Sequence, residues 1–319
     1  GLHLLPEQKS PRGMTVIDRS VTVVIDAAKC VGCEACLQVC PSETLAMVEG
    51  KAMVTGQESL GCGHCAAVCP TEAICVKALD NAVLDFETFS HPPHWLPPGK
   101  FPLGELVRLM RSRRSCRNFI DQTVPLNRLE DLVKIGQTAP SGSNCQAWTF
   151  TILPTRDAVR QLSEQVGRFF IRLNRLAEKR FLRSALKWIG RPELDFYYRN
   201  YFTSIHDGIQ DWQRTGRDHL FHGAPAVILV GGHSGAACPQ EDALLAAQNM
   251  LLGAHAMGLG TCLIGFAVSA IERAPSLKDF LNIPRGESIY ASIAVGFPDE
   301  RYHRLPGRKP APVRVWSGA

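Results

Sequence analysis

Residues 30–41 read CVGCEACLQVCP, and 29 positions further on residues 59–70 read SLGCGHCAAVCP. Superposing them aligns Cys30, Cys33, Cys36, Cys40 and Pro41 with Ser59, Cys62, Cys65, Cys69 and Pro70, so the second run carries serine where the first has its leading cysteine. Thiolates separated by two residues converge on one face of a metal site, while the three-residue step before proline turns the fourth sulfur elsewhere. Cys-x2-Cys pairs also bind zinc, and cysteine-rich stretches also form disulfides. Zinc needs four ligands at each site, and the proline-terminated pair of runs favours iron–sulfur ligation over it. Disulfides suit a secreted chain, whereas no hydrophobic signal region with a cleavage site stands near the N-terminus.

Over about residues 21–80 these runs resemble the two-cluster bacterial ferredoxins, in which three cysteines of a run hold one cluster and the fourth reaches the other. The resemblance implies that Cys30, Cys33, Cys36 and Cys69 hold one 4Fe-4S cluster and that Cys40, Cys62 and Cys65 supply three thiolates to a second. Three outcomes are open at the second site: Ser59 ligates the fourth iron through its alkoxide, water or a nearby side chain does so, or the cluster is 3Fe-4S. Cys75 aligns with Ala46, not with a ligand position, and is expected to be buried packing. Seven of the 12 cysteines belong to the runs; the scatter of the rest as free thiols predicts a reducing, cytoplasmic setting.

The chain has 319 residues, 45% hydrophobic and 20% charged, enough for two globular domains. A net charge of +5 is too small to imply nucleic-acid binding. No apolar stretch approaches the roughly 20 residues of a membrane span. Residues 1–20 are expected to be an extension or cloning remnant, and 21–82 a two-cluster ferredoxin domain with a strand over 21–25 and short hydrophobic segments over 44–48 and 73–76. Residues 86–102, FETFSHPPHWLPPGKFP, hold five prolines and predict a semi-rigid connection within a linker spanning 83–102. His91 and His94 there read as surface or packing histidines. Beyond the linker, residues 103–319 alternate helices (103–113, 126–138, 243–257) with strands (148–153, 226–230, 288–297), an α+β core.

Arg113, Arg114, Ser115 and Arg117 follow the first of these helices, a set suited to bidentate recognition of phosphate. The loop from Ala139 to Trp148, APSGSNCQAW, is small and polar. With Gly258-Leu259-Gly260-Thr261 and the late Arg308-Lys309, these segments resemble the FMN-dependent nitroreductase family over about residues 103–319. The resemblance implies that Arg113, Arg114, Ser115, Arg117 and Arg308, assisted by Lys309, hold the FMN phosphate and ribityl chain. It also implies a homodimer in which Pro140, Ser141, Gly142 and Asn144 contact the flavin of the other subunit. The backbone of Leu263, Ile264 and Gly265 would lie along the ring, with the amides of Ile264 and Gly265 near the flavin N5. Ala147 departs from the family's proline before the tryptophan, and Cys116 and Cys145 within the motifs read as small-residue packing.

Residues 160–191, rich in arginine, carry Phe169, Phe170, Phe181 and Trp188, followed by Phe196, Tyr197, Tyr198, Tyr201 and Phe202; they predict a helical cover with an aromatic stripe over the flavin, the alternative being a basic amphipathic face that meets a membrane surface or an acidic partner such as a ferredoxin. No G-x-G-x-x-G loop or P-loop is present. The expected function is an oxidoreductase that takes electrons through its clusters, from an external ferredoxin or NAD(P)H, and reduces a small planar acceptor such as a nitroaromatic, quinone or activated alkene. The alternative is an electron-transfer or redox-sensing protein without small-molecule turnover. An open aromatic pocket at the flavin would favour the enzyme, and a sealed flavin face the relay.

Overall fold

The computed structural model describes residues 17–318, so most of the expected N-terminal extension lies outside the described residues. The sequence repeat becomes a backbone repeat. Strand β1 (Val23–Ile25) pairs antiparallel with β4 (Ile74–Val76), while β2 (Leu45–Val48) and β3 (Lys51–Val54) form a second two-stranded ladder. Short helices α1 (Ala35–Gln38) and α2 (His64–Ala67) follow the two Cys-x2-Cys loops. Left-handed residues recur at the same offset as the cysteines: Gly32 and Gly61, Glu34 and Gly63, Glu43 and Glu72. Gly32 is required twice over, because its φ is +72° and a Cβ would collide with the Gly50 carbonyl oxygen.

Alternation along β4 turns Ile74 and Val76 inward and Cys75 outward, leaving Cys75 exposed. The expectation that Cys75 is buried packing is therefore corrected. The linker is clamped to the larger domain. Asp131, fully buried, accepts bonds from the Glu87 amide at 3.0 Å, the Thr88 amide at 2.7 Å and the Thr88 hydroxyl at 2.6 Å. Lys134 stands 3.5 Å from the same carboxylate and donates to the Asp85 carbonyl at 2.6 Å.

In the larger domain, helices α3 (Leu103–Ser112) and α4 (Leu126–Gly136) precede β5 (Trp148–Leu153). Four helices follow, α5 (Arg156–Ala177), α6 (Arg180–Trp188), α7 (Glu193–Asn200) and α8 (Phe202–Thr215), before β6 (Ala226–His233). Then come α9 (Pro239–Ala256), β7 (Gly260–Leu263), α10 (Gly265–Arg273), α11 (Pro275–Phe280) and β8 (Glu287–Gly296). The antiparallel sheet has the order β5-β6-β8-β7.

Both faces of β6 are covered. Ala226, Ile228 and Val230 join one core with Leu129, Leu132, Ala246 and Met250, while Val227 and Leu229 join the other with Leu162, Val166, Phe170 and Ile271. A bulge in the β6–β8 pairing lies between Val230 and Gly231, and it moves Ile289 to the opposite face from Ala291 and Ile293. Gly231 serves that bulge, since a Cβ there would collide with the Ser288 carbonyl oxygen. No helix among the described residues is long and apolar enough to cross a membrane.

Candidate functional site

The seven thiols of the cysteine runs and Ser59 fall into two groups. Cys30, Cys33, Cys36 and Cys69 line one pocket, walled by Ala52, Ala73 and Ile74; Cys40, Cys62, Cys65 and Ser59 line another, walled by Thr44, Leu45 and Val76. Among the described residues no three His, Cys, Asp or Glu side chains converge closely enough to hold a single metal ion. A multi-iron cluster instead spreads its ligands around a volume, and these two donor sets fit that pattern.

Backbone amides point at the sulfurs. Ala52 N–H donates to Cys30 Sγ at 3.5 Å, Thr44 N–H to Cys40 at 3.4 Å and Ala73 N–H to Cys69 at 3.3 Å. The Ala52 bond leads in holding the Cys30 thiol below its ordinary range, whereas burial raises Cys36 and Cys65. Such bonds stabilise thiolate and tune the potential of a bound cluster. Ser59 is buried at 7% exposure and its Oγ accepts from the Gly61 amide at 3.1 Å.

The arginine segment runs beside β7. Ser115 bridges Thr261, and the Cys116 amide donates to the Thr261 carbonyl at 2.9 Å. Burial, then the neighbouring charges of Arg114 and Arg308, push the Arg113 guanidinium down. Arg113, Arg114 and Arg308 have no carboxylate at ion-pair distance among the described residues. Three uncompensated guanidiniums fit a phosphate dianion. Burial pushes Cys116 up to about 12, an inert thiol. Lys309 is exposed beside Arg308.

A pocket of about 1210 Å³ opens on this edge of the sheet, lined by Arg117, Leu263, Ile264 and Gly265 and walled by Phe170, Phe196, Tyr197, Tyr201 and Phe266. The two backbone amides expected near the ring differ. Ile264 N–H is spent on the Ser292 carbonyl at 2.8 Å, so it cannot serve a ligand; this corrects the expectation for that residue. Gly265 opens α10, where the first amides have no intrahelical acceptor. The aromatic stripe is also corrected: Phe181 and Trp188 are 86% and 88% exposed, because α6 buries none of its residues. His222, which the sequence reading missed, lines the pocket, and burial lowers its imidazole so that it is neutral at pH 7. Its only signal was a place in the DHLFHGAP stretch before a strand.

Pro140, Ser141, Gly142 and Asn144 lie elsewhere, beyond the start of β5. Gly142 N–H donates to Asp242 Oδ1 at 2.9 Å, and the Trp148 indole donates to the Asp242 carbonyl at 3.1 Å. Asn144 Nδ2 reaches across to the Leu60 carbonyl at 3.0 Å. The structure thus brings Arg113, Arg114, Ser115, Arg117, Arg308 and Leu263–Gly265 to one sheet edge and the 140–144 loop to the other.

Residues 110–297 match the nitroreductase family, over half of the chain. The chain belongs to the nitroreductase family. Residues 22–70 match a 4Fe-4S dicluster domain, so an N-terminal ferredoxin-type iron–sulfur domain is fused to a C-terminal nitroreductase domain. The match agrees with the fold read from the cysteine runs and the flavin motifs. Among relatives, the 4-nitrobenzoate reductase of a Nocardioides species is 27% identical over 61% of this chain and 81% of its own. The iodotyrosine deiodinase of Thermotoga neapolitana is 25% identical over 63% of this chain and 92% of its own. A Bacteroides fragilis nitroreductase solved with bound FMN superposes with a TM-score of 0.48 at 16% identity, covering 67% of this chain and 99% of that one. Nitroreductase membership makes the chain an FMN-dependent oxidoreductase.

Proposed function

We propose that this nitroreductase is a cytoplasmic homodimer that reduces a small planar acceptor, a nitroaromatic, quinone or activated alkene, with electrons delivered through its own iron–sulfur domain. The open pocket of about 1210 Å³, with aromatic walls opposite the Leu263–Gly265 segment, carries this reading.

Arg113, Arg114 and Arg308 would hold the FMN phosphate, with Ser115, Arg117 and Lys309 beside them. Gly265 offers its free amide to the ring, where a backbone donor stabilises charge that develops on reduction. Phe170, Tyr197, Tyr201 and Phe266 would present flat apolar surfaces to an aromatic acceptor. Tyr197 is held by its hydroxyl, which donates to Asn174 Oδ1 at 2.6 Å, and burial raises it to about 12. It therefore stays protonated and orients the wall without titrating. Bound FMN, once reduced, supplies hydride or single electrons to the acceptor. Cys30, Cys33, Cys36 and Cys69 would ligate one 4Fe-4S cluster, and Cys40, Cys62 and Cys65 the second, with Ser59 as its fourth ligand.

Anaerobic flavin bleaching with NADH, NADPH and reduced ferredoxin offered separately tests the electron source. Fast bleaching by ferredoxin alone is expected. Bleaching by NAD(P)H alone, at a rate unaffected by loss of the clusters, would reverse the proposed flow and leave the iron–sulfur domain as an outlet or structural element.

A further inference from the structure

The register of the sheet gives the distance between the two halves of the candidate flavin site. The 140–147 loop leads into β5 at one edge, and Leu263 closes β7 at the other, in the order β5-β6-β8-β7. Three strand spacings separate the edges, about 14 Å. Along the strands, Trp148 is level with Gly232, whereas Leu263 is level with Ile293 and through it with Ile228. That adds four residues, about 14 Å, for a diagonal of about 20 Å. The start of β5 and the ring-facing Leu263 of one chain therefore stand about 20 Å apart, at opposite corners of the sheet.

The iron–sulfur domain sits with the loop, not with the arginines. Leu60, between Ser59 and Cys62, accepts the Asn144 side-chain amide at 3.0 Å. The loop is built to present that amide. Ser143, Asn144 and Gln146 all hold left-handed backbone, φ +52°, +53° and +49°, a conformation costly for residues other than glycine. Gln146 Nε2 donates to Asn144 Oδ1 at 3.0 Å, fixing which end of the amide faces Leu60, and Gln146 N–H donates to Ser141 Oγ at 3.0 Å. The other cysteine pocket has an open side, because Cys33 is exposed.

The geometry points to electron delivery between subunits: the cluster held by Cys40, Cys62, Cys65 and Ser59 of one protomer reduces the flavin held by the arginines of a second copy, with Asn144 docking the cluster loop at that junction. This rests on the dimeric FMN reading proposed above. In each transfer one ferrous iron of the cluster becomes ferric and one electron passes to FMN. Two transfers and one proton from solvent complete the anionic reduced flavin. A one-electron donor of the ferredoxin class re-reduces the cluster through the Cys30, Cys33, Cys36 and Cys69 site. The asymmetry of the runs then has a direction: the four-cysteine site is the outer port and the serine-containing site the inner one. Asn144 is a positioning residue here.

Hybrid dimers test it. Two differently tagged chains are co-expressed and the heterodimer is isolated. In hybrid one, one chain carries Arg113→Ala with Arg308→Ala and the other Cys62→Ala with Cys65→Ala. In hybrid two, a single chain carries all four changes and its partner none. Both hybrids contain the same lesions and differ only in their distribution, so any general loss of folding or of a second cluster affects them alike. FMN and iron per dimer are measured first. Delivery between subunits predicts that hybrid one bleaches with reduced ferredoxin within about threefold of the unaltered rate per flavin, and hybrid two at least tenfold more slowly. Time-resolved flavin emission gives a static readout, short-lived beside a cluster in hybrid one and longer in hybrid two. The opposite ranking, or equal rates, in an intact dimer overturns this inference and leaves the dimeric FMN reading standing. A monomeric FMN-loaded protein overturns both.

Discussion

Arg113→Ala should separate cofactor affinity from stability, because its two effects have opposite signs. With FMN bound, the guanidinium would make a charge-assisted hydrogen bond to phosphate, and losing such a bond costs about 1.5–3 kcal/mol. That is a weakening of about 10- to 140-fold in Kd. Without FMN, Arg113 is half-buried beside Arg114 and Arg308, and both its burial and their charge disfavour its ionised form. Removing it should leave the apoprotein as stable as before or more so. The assay is a fluorescence titration of apoprotein with FMN and, separately, with riboflavin, plus thermal unfolding without ligand. FMN binding is expected to fall by that factor while riboflavin, lacking the phosphate, binds the variant and the original chain alike. Arg113→Lys should recover part of the loss, since it keeps charge but not the planar fork. FMN affinity changed less than twofold, or equal losses for FMN and riboflavin, would refute the phosphate assignment.

Ser59→Cys completes the second thiolate set, so one of the two reduced-cluster EPR signals should change while the other keeps its g-values; two unchanged signals would show that Ser59 does not ligate. In Asp131→Ala the part-buried Glu87 and Thr88 amides and the Thr88 hydroxyl lose a fully buried acceptor, for a cost of about 1–3 kcal/mol, read as a fall in the melting temperature. Burial raises the Asp131 carboxyl, but the Thr88 hydroxyl and the Glu87 and Thr88 amides outweigh it and hold it below the ordinary range. Its contribution is accordingly full at neutral pH and lost as acidification passes down through the carboxylate range, and an Asp131→Asn melt should be flatter there. Gly231→Ala forces a Cβ against the Ser288 carbonyl and should cost about 1–3 kcal/mol in denaturant unfolding. Brief alkylation of the native protein at pH 8 should label exposed Cys75 and spare Cys116, mapped by peptide mass spectrometry.

What the sequence revealed is what covalent spacing and side-chain period encode. The two ligand groups follow from loops of fixed length, and β5 falls on the predicted Trp148–Leu153 because an alternating, β-branched run is bounded by a turn and a proline. Strands Lys51–Val54 and Gly260–Leu263 are illegible in the sequence because each is only four residues long and opens on a residue disfavoured in strands, Lys or Gly. The role of Ile264 was illegible for another reason: its amide is spent on Ser292, a partner set by the register of two strands far apart in sequence. Likewise Phe181 and Trp188 share the spacing of a buried stripe, but whether anything packs on α6 is a tertiary matter. Cys75 was misread because alignment with Ala46 says nothing about which face of β4 it takes. The flavin motifs were legible as types of residue, while their division between two sheet edges belongs to topology.

The clamp on Asp131 redraws the boundary at which these two halves could be exchanged with those of other proteins. Cutting at the end of the proline-rich linker, before residue 103, would carry Phe86, Glu87 and Thr88 away and leave the buried Asp131 carboxylate in the flavin domain with Lys134 as its remaining partner. The transplantable flavin unit therefore begins near Asp85, upstream of the proline-rich stretch. An iron–sulfur domain grafted from elsewhere would inherit its orientation from a tether it does not encode.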